Sequence, residues 1–244
     1  MESFVDKYLQ KHGFEHWMPQ PVLFDMDGVL YDSMGNHAVA WHEAMKSFGI
    51  DMTFLDAYAT EGARGIDTIK MMVEKQQHRS ISDQEAQHMY DEKTRLFHLM
   101  PEPPIMPGIP LLMQKIAAAD MSVGVVTGSG QRPLFARLMR DFGQYLDAER
   151  IVTAYDVKRG KPHPDPYLTG LQKAGHLAPW QAIVIENAPL GVRAAVSARI
   201  FTIAVNTGPL SEESLSREGA DLLFAKMTDL AENWEEIFQP AMHE

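Results

Sequence analysis

Two aspartates, Asp25 and Asp27, follow the apolar run at residues 22–24 and stand directly before a glycine. The run, Val-Leu-Phe, predicts a short buried strand that ends in a loop. Residues two apart in an extended backbone point to the same side, so both carboxylates can address one point beyond the strand. Buried carboxylates need a cation or a reacting group to offset their desolvation, and magnesium is a hard ion that prefers oxygen. The alternative is an ordinary Asp-x-Asp-Gly turn.

Three later segments repeat this arrangement of polar residues beside apolar runs or in rigid loops. Hydroxyl groups and glycines after a strand suit the close approach of a phosphate, with amide groups as donors. A lysine held between prolines can meet the same phosphate, and a Glu-Asn pair offers oxygen ligands. These residues are, in chain order, Thr127, Gly128 and Ser129, then Lys161, then Glu186 and Asn187.

The order of these four motifs resembles that of the haloacid dehalogenase superfamily of phosphotransferases, from about residue 20 onward. His37 and Trp41 after the first motif, and the helical segment before the second, resemble the β-phosphoglucomutase-like branch. That branch includes sugar-phosphate mutases, small-metabolite phosphatases and some inorganic pyrophosphatases. The resemblance implies a phosphoryl-transfer enzyme.

Phosphoryl transfer needs a nucleophile, charge neutralisation and a proton donor for the leaving oxygen. Asp25 is the predicted nucleophile, which forms an aspartyl-phosphate. Asp27 is the predicted general acid and base. Lys161 is predicted to bridge the phosphate and Asp25, while the 127–129 segment (Thr127, Gly128, Ser129) binds phosphoryl oxygens.

The expected cofactor is Mg²⁺, held by the Asp25 carboxylate, the Asp27 main-chain carbonyl and the side-chain oxygen of Asn187. Glu186 is an outer-shell candidate. Asn187 departs from the family pattern, which usually has Glu-Asp at this motif, and a neutral amide removes one negative charge from the metal site. Glu61 could supply the missing carboxylate; a solvated residue near a helix start is the alternative.

The segment before the second motif is expected to supply the substrate contacts His37, Glu61, Arg64 and Lys93. His37 could gate Asp27 or serve as a packed hinge residue. Mutases of this branch carry Lys-Asn after the second motif, where this chain has Gly130 and Gln131. The chain therefore lacks part of the set of side chains with which these mutases bind a second phosphate.

We therefore predict a Mg-dependent phosphohydrolase whose substrate is inorganic pyrophosphate or another small phosphorylated metabolite. The departures at residues 61, 130–131 and 187 resemble the pyrophosphatases of the branch. Two alternatives remain open: a β-phosphoglucomutase that isomerises a sugar phosphate, and a non-catalytic protein that binds phosphate.

Elements that could position these residues alternate along the second half of the chain. Short apolar runs predict strands at 122–126, 151–153, 182–185, 200–205 and 221–224, separated by helical patterns. Such alternation indicates an α/β fold, a Rossmann-like, doubly wound parallel sheet whose ligands bind beyond the carboxyl ends of the strands.

The predicted organisation has three parts. Residues 1–20 are expected to form an amphipathic extension, 21–33 and 105–244 the α/β core, and 34–104 an inserted helical cap with helical periodicity and no convincing strand. Prolines at 101, 103, 104 and 107 mark the return to the core.

The composition of the chain argues against some classes of binding partner. The net charge of −11 opposes nucleic acid and acidic membranes, so a phosphate must be attracted locally. The chain lacks cysteine and any apolar run of about 18 residues, and its first twenty residues do not resemble a secretory signal. We expect a cytoplasmic protein, a monomer or small homo-oligomer.

Overall fold

A six-stranded parallel sheet forms the centre of the computed structural model, which describes residues 3–130 and 132–238. The strands lie in the order β3-β2-β1-β4-β5-β6, and every pair of neighbours is parallel. Their bounds are Pro21–Phe24 (β1), Ser122–Val126 (β2), Leu146–Val152 (β3), Ile183–Glu186 (β4), Phe201–Val205 (β5) and Leu222–Phe224 (β6). The predicted α/β fold with a parallel sheet is confirmed.

Both faces of the sheet are covered by helices, as the continuous apolar strands predict. Val22 and Phe24 of β1 pack into one apolar cluster, whereas Leu23 packs into a second cluster on the opposite face. Successive residues of a strand point to opposite faces, so this alternation places an apolar layer on each side. The sheet is therefore doubly wound.

Twelve α-helices and one 3₁₀ turn are found among the described residues. The first six helices are α1 (Phe4–His12), α2 (Met34–Ser47), α3 (Phe54–Ala59), α4 (Gly65–Gln77), α5 (Asp83–His98) and α6 (Ile109–Ala118). The others are α7 (Arg132–Phe142), α8 (Asp165–Lys173), α9 (Pro189–Ser197), α10 (Glu212–Ser216), α11 (Met227–Glu232) and α12 (Trp234–Ile237), with the 3₁₀ turn at Pro179–Gln181. No helix in 3–130 or 132–238 has the length and apolar character needed to cross a bilayer.

Five strands lie within one residue of their predicted bounds, but β3 starts at Leu146, five residues before the prediction. Its first half, Asp147 to Arg150, is polar and largely exposed, and its register against β2 shifts between Val123 and Val125. This strand lies at the edge of the sheet, and the exposure of its first half means that no continuous apolar run is needed there. The apolar pattern that reveals a buried strand is therefore missing here.

Helices α2 to α5 lie between β1 and β2 and pack around their own apolar cluster, which includes Trp41, Met45 and Ile69. We call these helices and the loops that join them the cap. The two chain segments that lead into and out of the cap run side by side. Tyr31 forms an antiparallel bridge with Ile105, and the Asp32 amide donates to the Pro104 carbonyl at 3.0 Å.

Helix α1 is tied to the sheet by Tyr8. Ser3 and Asp6 form a capping box at its start. The Tyr8 ring is fully buried against Phe201 and Trp17, and its hydroxyl donates to the Arg199 carbonyl at 2.8 Å. The residues before β1 therefore cover apolar surface of the core.

Truncation of Tyr8 tests this role. Tyr8→Ala should lower the free energy of unfolding by about 3–5 kcal/mol, the usual cost of removing a buried aromatic ring. Phe4→Ala in the same helix is the control, because Phe4 is 49% exposed and surface changes usually stay within about 0.5 kcal/mol. Urea denaturation measures both, and equal losses would show that α1 is not anchored through Tyr8.

Candidate active site

A cavity of about 60 Å³ lies between the carboxyl ends of β1 and β2 and the cap. Most of the predicted site residues line it: Asp25, Asp27, His37, Glu61, Lys93, Thr127, Gly128 and Ser129. We call it the inner cavity. Strands β1, β2 and β4 are neighbours in the sheet, which explains why residues more than 100 positions apart in the chain meet here.

Asp25 is buried at the end of β1, with its amide bonded to the Ile185 carbonyl of β4 at 3.0 Å. Lys161 Nζ donates to Asp25 Oδ1 at 2.5 Å, to Glu186 Oε1 at 2.6 Å and to the Val126 carbonyl at 3.0 Å. All three ammonium protons thus have acceptors. Burial raises the pKa of Asp25 to about 7, although the charge of Lys161 opposes the rise. Burial lowers the pKa of Lys161, but the two carboxylates outweigh it and raise this pKa above its ordinary value.

Glu186 is fully buried and its carboxylate is satisfied by the protein. Oε1 accepts from Lys161 and from the Tyr167 hydroxyl at 2.7 Å, and Oε2 accepts from the amides of Asn187 and Ala188 at 3.0 and 3.2 Å. This carboxylate therefore holds Lys161 in place. A Cβ atom at position 191 would lie 1.7 Å from Glu186 Oε1, so the glycine there gives the carboxylate its space.

The side chain of Asp27 contacts Ser33 and His37, and His37 in turn contacts Lys93. Asp27 Oδ1 accepts from Ser33 Oγ at 2.6 Å and lies 3.0 Å from His37 Nε2, while Lys93 Nζ lies 2.6 Å from His37 Nδ1. Because an ammonium can only donate, Nδ1 is the acceptor and the proton of His37 is assigned to Nε2. Lys93 is buried and lies 5.2 Å from the centroid of the Trp41 ring.

The chain Lys93–His37–Asp27 favours an ionised Asp27. Burial alone raises the pKa of Asp27, but His37, the Ser33 hydrogen bond and the charge of Lys93 outweigh it and lower the pKa to about 2. Burial, followed by the charge of Lys93, lowers the pKa of His37 below its ordinary value, which favours the neutral ring. Burial also lowers the pKa of Lys93 to about 8, and the charge of Asp27 opposes this.

The segment Thr127, Gly128 and Ser129 forms a tight turn after β2. The Thr127 amide bonds to the Val152 carbonyl, and the Ser129 amide donates to Thr127 Oγ1, each at 3.0 Å. A Cβ atom at Gly128 would lie 2.5 Å from the carbonyl oxygen of Gly62. The cap loop therefore rests directly on this turn.

Glu61 reaches Asn187 across the space between cap and core. Asn187 Nδ2 donates to Glu61 Oε1 and Oε2 at 3.3 and 3.1 Å, and both residues are buried. Burial raises the pKa of Glu61 well above its ordinary value, and the nearby charges of Asp25, Glu186 and Asp27 raise it further. Asn187 Oδ1 is buried and has no hydrogen-bond partner among the described residues.

These residues fit a divalent cation of the magnesium type. The orphaned Asn187 Oδ1, the Asp25 carboxylate, the Asp27 main-chain carbonyl and Glu61 are all oxygen donors, the chemistry that magnesium prefers. A cation would also offset the carboxylate charges that raise the pKa of Glu61. In 3–130 and 132–238 no cluster of three His, Cys, Asp or Glu side chains is arranged to hold a metal.

Arg64 lies apart from the other predicted site residues. It does not line the inner cavity, and its Nε and Nη2 donate to Asp67 at 2.7 and 3.0 Å. Arg64 stands immediately before α4, and its Cγ packs where a Cβ atom at residue 160 would lie, so Gly160 makes room for it on the outer side. Of the two residues at the mutase Lys-Asn positions, Gly130 is described and Gln131 lies outside the described residues.

Ser33 and Tyr167 were missed in the sequence. Ser33 directly precedes α2, and its hydroxyl bonds Asp27 instead of the helix start. Tyr167 lies among apolar neighbours on α8, where an aromatic side chain predicts core packing. The signal that could have pointed to either is proximity to a motif: Ser33 is six residues after Asp27, and Tyr167 is six after Lys161.

The chain is similar to known proteins over most of its length. A family model described as haloacid dehalogenase-like hydrolase matches residues 22–205. A solved structure described as a putative β-phosphoglucomutase from Bacteroides vulgatus is 46% identical, with a TM-score of 0.92 over 96% of this chain and 95% of that one. Hexitol phosphatase A of Escherichia coli is 32% identical over 184 residues, 75% of this chain and 82% of the relative. β-Phosphoglucomutase of Bacillus subtilis is 27% identical over 230 residues, 88% and 95% of the two chains. None of the three is described as an inorganic pyrophosphatase.

The position of Asn187 depends on a glycine, which provides a test of the site. Gly28 has φ +77°, and a Cβ atom there would lie 2.1 Å from Asn187 Nδ2. Gly49 has a similar φ of +71° with nothing within 4 Å of its Cβ position, so it is a matched control. Gly49→Ala should cost about 1–2 kcal/mol of unfolding free energy for the left-handed backbone. Gly28→Ala should cost about 1–3 kcal/mol more for overpacking. Equal costs in urea denaturation would contradict the close approach of Gly28 to Asn187.

Proposed function

Because the chain belongs to the haloacid dehalogenase-like hydrolase family, we propose that it is a magnesium-dependent phosphohydrolase that acts through an aspartyl-phosphate on Asp25. We further propose that its preferred substrate is inorganic pyrophosphate. The observation that carries the choice of substrate is the buried contact of Glu61 with Asn187, because it brings a carboxylate of the cap to a small cavity that Asp25 and Asp27 also line.

The first step is attack by Asp25. Lys161 bonds Oδ1 of Asp25, so Oδ2 is the oxygen that remains for attack on phosphorus. The new bond forms between Oδ2 and phosphorus, and the bond from phosphorus to the bridging oxygen breaks with its electron pair on the departing orthophosphate. The Gly128 amide and the hydroxyls of the 127–129 turn are the donors for the negative phosphoryl oxygens, and Lys161 contributes its positive charge beside Asp25.

The second step regenerates Asp25. Asp27, held ionised by Ser33 and His37, takes a proton from a water molecule as the water oxygen attacks phosphorus. The bond from phosphorus to Asp25 breaks, Asp25 recovers its carboxylate, and Asp27 passes the proton to the product or to solvent. The sum is pyrophosphate plus water to two orthophosphates.

The ionised state of Asp27 supports a phosphate leaving group. A sugar alkoxide is a poor leaving group and needs a proton in the first step, whereas orthophosphate departs as a stable anion. The lowered pKa of Asp27 keeps its carboxylate ionised, so Asp27 has no proton to donate before the first step. A substrate whose leaving group needs no proton fits this arrangement.

A bound Mg²⁺ would neutralise charge on the transferring phosphoryl oxygens and on the site carboxylates. We propose that the Asp25 carboxylate, the Asp27 carbonyl and Asn187 Oδ1 hold it. Glu61 is placed to add the carboxylate that Asn187 does not supply, when the cap is closed.

The size of the inner cavity also favours a compact substrate. A cavity needs a volume of roughly 10–15 Å³ to hold one water molecule. A cavity of about 60 Å³ therefore holds a few water-sized groups beneath the closed cap. Pyrophosphate is compact and carries no organic group, so the cap does not have to make room for one.

A second candidate is an enzyme of phosphorylated carbohydrates, either a phosphatase or a mutase. It is favoured by the 46% identity to the structure described as a putative β-phosphoglucomutase and by the similarity to hexitol phosphatase A. In that case Asp27 would receive a proton before the first step. The proton would reach the Asp27 carboxylate through the hydrogen bonds from Lys93 to His37 and from His37 to Asp27. A non-catalytic phosphate-binding protein is a third candidate.

A substrate screen tests the proposal. The purified chain is incubated with pyrophosphate, β-glucose 1-phosphate, fructose 1-phosphate and phosphoglycolate, with Mg²⁺ or with a chelator. Pyrophosphate should release orthophosphate fastest, and only with Mg²⁺. Asp25→Asn should abolish turnover, and Asp27→Asn should lower it by about 10²–10⁴-fold. The exposed Asp32→Asn in the same loop is the control. Faster conversion of β-glucose 1-phosphate to glucose 6-phosphate would identify a mutase, and absence of turnover on every substrate would favour the binding protein.

A double-mutant cycle tests the pairing of Glu61 with Asn187. Glu61→Ala should cost about 1–3 kcal/mol in kcat/KM for pyrophosphate, the scale of a lost hydrogen bond to a charged group. Asn187→Asp should restore part of this activity in the Glu61→Ala background, because it returns a carboxylate to the metal site. The exposed cap residue Glu74→Ala is the matched control. Strict additivity of the changes at 61 and 187 would refute a shared role.

A further inference from the structure

The side chain of Tyr167 reaches the buried ion cluster around Lys161 from helix α8. Its hydroxyl donates to Glu186 Oε1 at 2.7 Å, and the same oxygen accepts from Lys161 Nζ at 2.6 Å. The centroid of its ring lies 5.2 Å from Lys161 Nζ. Tyr167 is fully buried and does not line the inner cavity. It therefore contacts the charged groups behind Asp25 without contacting a substrate in that cavity.

The hydroxyl of Tyr167 is a donor in this contact. An ammonium has no acceptor, so Lys161 donates to the carboxylates of Asp25 and Glu186. Burial, followed by the charges of Glu186 and Asp25, raises the pKa of Tyr167 well above its ordinary value, which keeps the proton on the hydroxyl. Glu186 Oε1 thus accepts two hydrogen bonds, one from a cation and one from a neutral group.

The two donors compete for the charge of Glu186 Oε1. The hydroxyl dipole of Tyr167 points its positive end at this oxygen and offsets part of the negative charge that Lys161 meets there. Lys161 also donates to Asp25 Oδ1 at 2.5 Å. The position of the ammonium between the two carboxylates therefore depends on how strongly Glu186 attracts it.

We propose that Tyr167 is a positioning residue for phosphoryl transfer. By donating to Glu186, it limits the attraction of that carboxylate for Lys161 and keeps the ammonium at Asp25. Without the hydroxyl, Glu186 Oε1 carries more uncompensated charge and draws Lys161 away from the nucleophile. This role rests on the proposed phosphohydrolase function, in which Lys161 places positive charge beside Asp25.

The test removes the hydroxyl and keeps the ring. Tyr167→Phe is the test variant, and Tyr8→Phe is its matched control. Tyr8 is also fully buried, and its hydroxyl donates to the Arg199 carbonyl at 2.8 Å, outside the ion cluster. Each variant loses one buried hydroxyl and one hydrogen bond. An effect of stability alone would therefore appear in both, and urea denaturation measures it.

The first measurement needs no turnover and follows the ammonium of Lys161 directly. Lysine is labelled with ¹⁵N in the full chain, and the side-chain ammonium signals are recorded by NMR. Within the described part of the chain the buried lysines are Lys93 and Lys161, so these two ammonium groups are shielded from exchange with water. Lys93→Arg removes one signal and assigns the other to Lys161. Tyr167→Phe should shift the Lys161 signal, and Tyr8→Phe should leave it in place.

The second measurement is the hydrolysis of pyrophosphate with Mg²⁺. For Tyr167→Phe, kcat and kcat/KM should fall together by about tenfold, the scale of one hydrogen bond to a charged group, with little change in KM. Tyr8→Phe should keep the kcat of the unmodified chain. An unshifted Lys161 signal in Tyr167→Phe, equal losses of kcat in the two variants, or a change confined to KM would each overturn the role of Tyr167.

The two proposals can fail separately. If pyrophosphate is not hydrolysed by the unmodified chain, the proposed substrate is wrong, while the Lys161 signal still reports whether Tyr167 positions the ammonium. Hydrolysis at an unchanged kcat in Tyr167→Phe would leave the phosphohydrolase intact and refute the positioning role.

Discussion

The buried ion cluster around Lys161 is the constraint on which the rest of the site depends. Its ammonium donates to Asp25, to Glu186 and to the Val126 carbonyl, which joins the ends of β1, β2 and β4 through one side chain. Removing one partner from such a buried cluster leaves a charge without compensation and is strongly destabilising. The same contacts fix the orientation of the Asp25 carboxylate, because its Oδ1 accepts a hydrogen bond from Lys161. One side chain thus links three strand ends and fixes one oxygen of the nucleophile.

Negative charge exceeds positive charge around the inner cavity. Four buried or nearly buried carboxylates, Asp25, Asp27, Glu61 and Glu186, face the two ammonium groups of Lys161 and Lys93. The raised pKa of Glu61 reflects this excess, because burial and the neighbouring carboxylates disfavour its charged form. A divalent cation would bring the balance to neutrality before a phosphate arrives. Since Glu61 belongs to the cap, closure of the cap and charge compensation are coupled in the proposed function.

The sequence was most informative where chemistry depends on strand ends. Asp25 and Asn187 could be placed together because parallel strands deliver their carboxyl ends to one edge, and apolar runs mark those ends. The direction of Arg64 could not be predicted, since it depends on the i,i+3 pair with Asp67 and on space at Gly160. Tyr167 could not be distinguished from a core aromatic residue, because its hydrogen bond to Glu186 is made across the fold. The pattern therefore predicts which residues meet, while side-chain direction requires the packed structure.

Close backbone approach explains how the cap can enclose so small a space. A Cβ atom at Gly128 would overlap the carbonyl of Gly62, and one at Gly62 would lie 2.9 Å from Lys161 Cδ. Glycines on both sides of the contact bring the cap loop onto the phosphate turn without intervening side chains. The loop therefore meets the phosphate turn with its backbone, and the side chain of Glu61, next to Gly62, lines the inner cavity. A side chain at either glycine would hold the loop away from the turn, and with it the carboxylate that the cap brings to Asn187.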